Sequence, residues 1–403
     1  MRASSQDMPL RDSRWFYLGI ATLSQTALAT IHLGIPTLIP LIQAELALNL
    51  TEVGMLVSSV NIGVVATVLW AGRAADRFGE RLVIGYGTIA GGTMVLMVNF
   101  SESFVSLLPV FFLIGAPMAT GTPAGSKAVA GWFPQKERGT AMGIRQTGVP
   151  VGGTIAALVL PSLGLAFGWR FALSATGLVT IAMGISVLLL YKQPEHLSVS
   201  RGSALIGGAR DIIRRKDIWA VTLYAAIMAG CQWCYLSYIE LYLTEDILLS
   251  LILAATLLAA GQISGAVGRI VFGLVSDRLF LGRRKPVMIL LGIVGIAMAI
   301  LMAFLRPETP AWFIFVVVCF LGLGTMSWQG LYLTLVSEIV GSRMAGVAVG
   351  MTNTVTFFGI VVLPPVFGFI ADRSESYQMA WLALAAVIVL PLVLLSRVKE
   401  SLP

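Results

Sequence analysis

The sequence predicts an all-α integral membrane protein, with twelve transmembrane helices in two pseudo-symmetric six-helix bundles. Three observations predict it. Only 12% of the 403 residues are charged and 57% are hydrophobic, whereas soluble domains average about 25% charged. Apolar runs of membrane-crossing length, roughly 18 residues or more, recur at 15–41, 52–71, 82–100, 104–131, 139–163, 170–190, 218–243, 249–275, 286–305, 311–337, 344–371 and 378–396. A polar loop occurs twice, each copy directly after an apolar run. It reads Gly72-Arg-Ala-Ala-Asp76-Arg77-Phe-Gly79-Glu-Arg81 in the first half. In the second it reads Gly273-Leu-Val-Ser-Asp277-Arg278, followed by Arg283, Arg284 and Lys285. A repeat at half the chain length means two homologous halves.

The first run follows Arg11 and Arg14. It is too long for a signal-peptide apolar region and lacks a small-residue cleavage site, so it is expected to remain as a span. Runs one to six give an N-terminal bundle over 1–191. The longest polar stretch, 192–217, is then a central loop in which Arg210 to Lys216 suits a short amphipathic helix on the membrane surface. Runs seven to twelve give a C-terminal bundle over 218–403. The remaining loops are too brief for an extra-membrane domain.

Alternate loops differ in charge. One side of the expected membrane holds nearly all the loop lysines and arginines, while the other holds only Arg170, Arg306 and Arg373. That bias places both termini in the cytoplasm of a cell whose inner membrane carries the protein. The net charge of +7 is thus a topology signal and no argument for nucleic acid. The same charges suit the anionic inner leaflet of the bilayer.

A second internal repeat matches Gly139-Thr-Ala-Met-Gly143-Ile-Arg145-Gln146-Thr147 with Gly346-Val-Ala-Val-Gly350-Met-Thr352-Asn353-Thr354. It makes the fifth and eleventh spans equivalent, puts Gln146 and Asn353 at corresponding places as candidate neutral hydrogen-bond partners for a substrate, and carries glycines at a spacing that lets membrane helices approach closely. Prolines interrupt several spans, at Pro36 and Pro40, Pro117 and Pro123, Pro150, and Pro364-Pro365. Each removes a backbone donor and frees a carbonyl. Cys231 and Cys234 sit one turn apart in an apolar helix, where small packing residues are the expected reading ahead of a redox or metal pair.

Three cations fall inside spans: Lys127, Arg145 and Arg269. No acidic partner is evident near them. Buried cations usually face a wet cavity and mark a pathway, and an excess of positive charge there attracts anions. A guanidinium offers a carboxylate two parallel charge-assisted bonds, so Arg145 and Arg269, one from each half, are the expected clamps. Lys127 can instead reach the inner interface along its stem. His32, mid-way along the first span, has an ordinary pKa near 6.5 that suits a proton carrier, though packing as a neutral ring is the commoner role.

The duplicated loop resembles the signature of the major facilitator superfamily, G-x-x-x-D-R-x-G-x-R. Gly72, Asp76, Arg77, Gly79 and Arg81 carry it, with an echo at Gly273, Asp277 and Arg278. The resemblance covers essentially the whole chain. It implies two bundles around a cavity that opens alternately to either side, with the fifth, seventh and tenth spans lining it. Gln232, Tyr235, Trp328 and Gln329 then become candidate pocket residues, although packing explains each nearly as well. Asp76 and Asp277 would lie where the eleventh and fifth spans begin, near Ser342 and Gly139. A carboxylate against a helix N-terminus gains about 0.3–1 kcal/mol, and such a contact with the opposite half would hold the cytoplasmic side shut.

Arg269 stands four residues before Gly273, a placement similar to the eighth-helix arginine of monocarboxylate transporters and nitrate porters. Nitrate porters also have an arginine where this chain has Val68, and monocarboxylate transporters commonly have an acid where it has Gly265. The expected activity is secondary transport of a small organic anion, coupled to protons or to exchange, by a monomer without cofactors. A drug/proton antiporter is the alternative. It is disfavoured because no membrane-embedded acid faces a cationic cargo and the fifth span reads Gly148-Val-Pro150-Val-Gly152-Gly153 in place of G-P-x-x-G-G. No nucleophile, metal cluster or acid pair suggests an enzyme, and no long terminus suggests a sensor.

Overall fold

A computed structural model describes residues 14–133, 138–192, 214–340 and 345–398. Among them all regular structure is helical: α1 (Arg14–Leu46), α2 (Leu50–Phe78), α3 (Glu80–Leu96), α4 (Phe104–Met118), α5 (Gly121–Trp132), α6 (Arg138–Gln146), α7 (Gly148–Phe167), α8 (Trp169–Leu190), α9 (Lys216–Glu245), α10 (Leu251–Arg278), α11 (Lys285–Ala303), α12 (Ala311–Met326), α13 (Gln329–Val340), α14 (Ala345–Ser374) and α15 (Tyr377–Ser396). Among the described residues eleven segments are long and apolar enough to cross a membrane, and Phe104–Met118 is a shorter apolar helix. The expected span 104–131 is therefore present as two pieces, α4 and α5.

The interruptions have local causes. Pro123 has no N–H to return to Ala119, and Thr120 turns back instead, its amide and hydroxyl both bonding the Pro117 carbonyl at 3.1 and 2.7 Å. Pro150 acts likewise between α6 and α7, where the Thr147 hydroxyl donates to the Ile144 carbonyl at 2.6 Å. Between α12 and α13 no proline is involved. There the Trp328 ring folds back so that Nε1 donates to the Thr325 carbonyl at 2.8 Å. The last-turn carbonyls of a helix that ends inside a membrane need such partners.

The chain divides into two compact units. One contains α1 as far as Ile35 and the chain from Ile62 through α8; the other contains the hairpin Pro36–Asn61 and α9–α15. The division in α1 falls at Pro36, whose ring nitrogen cannot continue the helical ladder to His32.

In the first unit α7 lies against α1, where a Cβ on Gly152 would stand 2.6 Å from the Thr26 carbonyl. The Thr67 hydroxyl of α2 donates to Ala116 of α4 at 2.7 Å. α3 pairs with α8, where a Cβ on Gly184 would meet the Gly85 carbonyl at 2.8 Å. The second unit repeats these pairings internally. α9 packs on α14 with Gly230 against Gly359, α10 on α12 with Gly261 against Gly322, and α11 on α15 with Gly292 against Leu392. Small residues at each contact give the close backbone approach on which helix association in lipid depends. The repeated glycines predicted to do this include Gly350, which instead has open space around it.

Candidate functional site

Arg145 sits at the end of α6 and is 2% exposed. Its guanidinium donates to the Gly121 carbonyl, at the start of α5, and lies so close over Gly125 that any Cβ there would overlap it. Glycine at 125 is thus required by the arginine. Its Nε has no partner. Lys127, one turn further along α5, donates to the Ala75 carbonyl near the end of α2 at 2.7 Å, and its charge acts on Glu80. Glu80 is fully buried at the start of α3. The expectation of a cation without acidic company is corrected for Lys127, because the carboxylate follows the signature glycine in sequence and comes close only through folding.

An aromatic group closes over this cluster. Tyr17 lies tilted against Trp132 at 4.6 Å and meets Tyr191 edge-on at 5.7 Å, while Trp132 donates to the Tyr191 hydroxyl at 3.1 Å. Tyr191 lies just beyond α8; burial first, and the charge of Glu80 second, push its phenol above its ordinary pKa. The neighbouring void is about 10 Å³, room for roughly one water. A substrate does not fit there. Gln146 is exposed and accepts from Gln25 of α1 at 2.9 Å. His32 is half-buried in α1.

In the second unit Arg269 is half-buried on α10, and its Nε donates to the Met326 carbonyl at 3.0 Å. Met326 ends α12, at the interruption held by Trp328. Ion pairs to Arg269 are absent among the described residues. Gln329, in the first turn of α13, reaches Gln232 of α9 at 3.4 Å. Tyr235 is fully buried against α10 and α12, with its hydroxyl 3.4 Å from the Val318 carbonyl. Trp328 is fully buried too. The second unit therefore groups Gln232 with Gln329, and Arg269 with the Trp328 interruption, while Asn353 stands half-buried on α14.

The signature loops behave as two different devices. Gly79 has φ of +83° as the N-cap of α3, a conformation that favours glycine. Arg81 donates to the Leu188 carbonyl of α8, and exposed Arg77 lies over the Phe78 ring at 5.2 Å. Gly72 is half-buried; the Asp76 side chain and residues 341–344 lie outside the described residues. In the echo, Asp277 is 57% exposed and pairs with Arg284, which also reaches Glu338 at 3.4 Å. Arg278 is exposed, and nothing crowds Gly273.

Sequence reasoning passed over a further cluster in the second unit. Asp372, near the end of α14, accepts from the backbone N–H of Leu50 and Thr51 at 2.9 and 2.7 Å, and from the Thr51 hydroxyl. Asn49 and Glu52 complete the same helix start as a reciprocal capping box, at 2.8 and 3.0 Å. The buried Tyr238 hydroxyl lies 2.8 Å from the Leu50 carbonyl and 2.7 Å from that of Pro364. Two signals were available. Ala371-Asp372-Arg373 repeats the triplet Ala75-Asp76-Arg77, and Asn49-x-x-Glu52 has the capping-box spacing.

A family model for the Major Facilitator Superfamily matches residues 18–364. Among curated relatives, the probable L-galactonate transporter of Escherichia coli is 25% identical over 84% of this chain and 79% of its own. The probable sulfoacetate transporter SauU of Cupriavidus necator is 26% identical over 93% and 91%. Of solved structures, a bacterial homologue of the human lysosomal transporter Spinster superposes with a TM-score of 0.83 at 18% identity, covering 95% of this chain and 96% of that one. With apolar helices throughout, the same helix pairings in each half and the signature loop in both, the chain belongs to the Major Facilitator Superfamily of membrane transporters.

Proposed function

We propose that this transporter moves small organic anions, carboxylates above all, across the cytoplasmic membrane by alternating access. It works as a monomer with both termini inside, coupled to proton symport or to exchange of a second anion. Arg269 carries the reading. Its Nε is spent on the Met326 carbonyl, which fixes the plane of the guanidinium and leaves the two terminal nitrogens for a ligand. The described residues supply no carboxylate to neutralise it. A fixed, uncompensated fork is what an anionic substrate needs, and Gln232 with Gln329 supply neutral hydrogen-bonding groups in the same unit. The names of the galactonate and sulfoacetate relatives support the same chemical class.

Arg145 takes a supporting part in this reading. Its guanidinium is enclosed over Gly125, so it holds the broken fourth span in shape and contributes positive potential at a distance. His32 is the proposed proton site, half-buried in α1 one turn before Pro36. A thermal-shift screen of purified protein tests the class. Galactonate or sulfoacetate should raise the melting temperature by mass action, while neutral galactose should not. Stabilisation by galactose alone, or by a lipophilic cation alone, would remove the anion reading.

A further inference from the structure

We propose that Asp372 is the key of a releasable latch, which holds the α1–α2 hairpin against α9 and α14 and must open for substrate to pass at that end. The proposal rests on the reading of the chain as an alternating-access transporter, but not on the charge of its cargo.

The placement of Asp372 is the first argument. It lies in the last turn of α14, where the negative end of that helix's own dipole disfavours a carboxylate. Its two oxygens are instead used on the start of α2, whose positive end favours it. The Asn49–Glu52 box supplies partners for the Asn49 and Glu52 amides, while Leu50 and Thr51 depend on a residue more than three hundred positions away. A helix start capped from so far along the chain is a tie between elements, and it is made of groups that water can replace when they part.

Three other contacts are built to match. Pro365 has no N–H for the Val361 carbonyl, and the Ser58 hydroxyl of α2 takes that carbonyl at 2.7 Å. Tyr238 of α9 joins the Leu50 and Pro364 carbonyls and stacks on Phe367 at 4.7 Å. Gly54 and Gly368 make room: a Cβ on Gly54 would stand 2.5 Å from the Tyr238 hydroxyl and 2.6 Å from Pro365, and one on Gly368 would strike the Leu50 carbonyl. The hairpin is seated by small residues around the Tyr238 ring and held by exchangeable hydrogen bonds, with no ion pair among these contacts. Such a joint closes in register and separates without unpacking a core.

The test uses the full chain in liposomes, with Cys231, Cys234 and Cys319 replaced by alanine and Ser58→Cys introduced as a reporter. Ser58 is 3% exposed, so a polar maleimide reaches a cysteine there only when the hairpin lifts. Asp372→Asn should raise the labelling rate roughly fivefold, the effect of losing a helix cap. Gly368→Leu, a wedge in the same seat, should raise it further. Asp372→Glu, which keeps the charge, should stay closer to the parent. Equal labelling in the parent, Asp372→Asn and Gly368→Leu, all with unchanged melting temperatures, would overturn the latch. Because the readout is access and not uptake, it stands whether or not organic anions prove to be the cargo.

Discussion

The Arg269 guanidinium holds the Met326 carbonyl at 3.0 Å, at the point where the span Ala311–Val340 is interrupted. The first unit contains the counterpart: Arg145 holds the Gly121 carbonyl at the interruption of the fourth span. In each unit a membrane arginine is thus tied to a broken helix. The difference lies in what is left over, since Arg145 is enclosed and Arg269 is half-buried.

Enclosure makes a sharp prediction about two neighbouring glycines. Gly125→Ala should destabilise the protein by about 1–3 kcal/mol, the usual range for overpacking, because its methyl and the Arg145 guanidinium cannot coexist. Gly121→Ala has open space and should leave the melting temperature within a degree or two of the parent. Thermal unfolding in detergent compares them directly.

A similar contrast tests the helix pairings. A Cβ on Gly359 would overlap the Ala226 carbonyl of α9, whereas Gly350, on the same helix, faces nothing within 4 Å. Gly359→Ala should lower the melting temperature. Gly350→Ala should raise stability by about 0.5–1 kcal/mol through helix propensity.

The Glu80–Lys127 relationship predicts non-additivity. Lys127→Gln removes the positive charge that acts on fully buried Glu80 and should lower the melting temperature. The double variant Lys127→Gln/Glu80→Gln should recover most of that loss in the same unfolding assay. Additive losses would show that the two groups do not depend on each other.

Exposure sets the expectation for the echoed signature. Asp277 is 57% exposed where it meets Arg284, so Asp277→Asn should change stability by less than about 1 kcal/mol. A larger fall in transport than in melting temperature would assign the pair to movement and not to folding.

The fold was legible because a bilayer leaves a chain few choices, and apolar length gives the spans. The helix interruptions were only partly legible. Pro123 and Pro150 announced theirs, but the one at Trp328 is made by an indole reaching its own backbone, which composition does not reveal. Site residues were harder. Arg145 and Arg269 stood out as charges inside apolar runs, yet the sequence did not say that one is enclosed by Gly125 and the other is held only by Nε. Glu80 read as a loop residue until folding buried it beside Lys127. Asp372 falls just past the apolar run 344–371, and a cap formed across more than three hundred residues leaves no local periodicity.

The central claim is that a fixed guanidinium in the second unit receives an anionic substrate. Uptake of labelled galactonate or sulfoacetate into liposomes, by the parent and by Arg269→Lys and Arg269→Gln, tests it most directly. The account predicts uptake by the parent, at least a tenfold loss in Arg269→Gln, equivalent to about 1.4 kcal/mol, and partial uptake in Arg269→Lys, which keeps the charge without the fork. Normal uptake by Arg269→Gln, at an unchanged melting temperature, would contradict it.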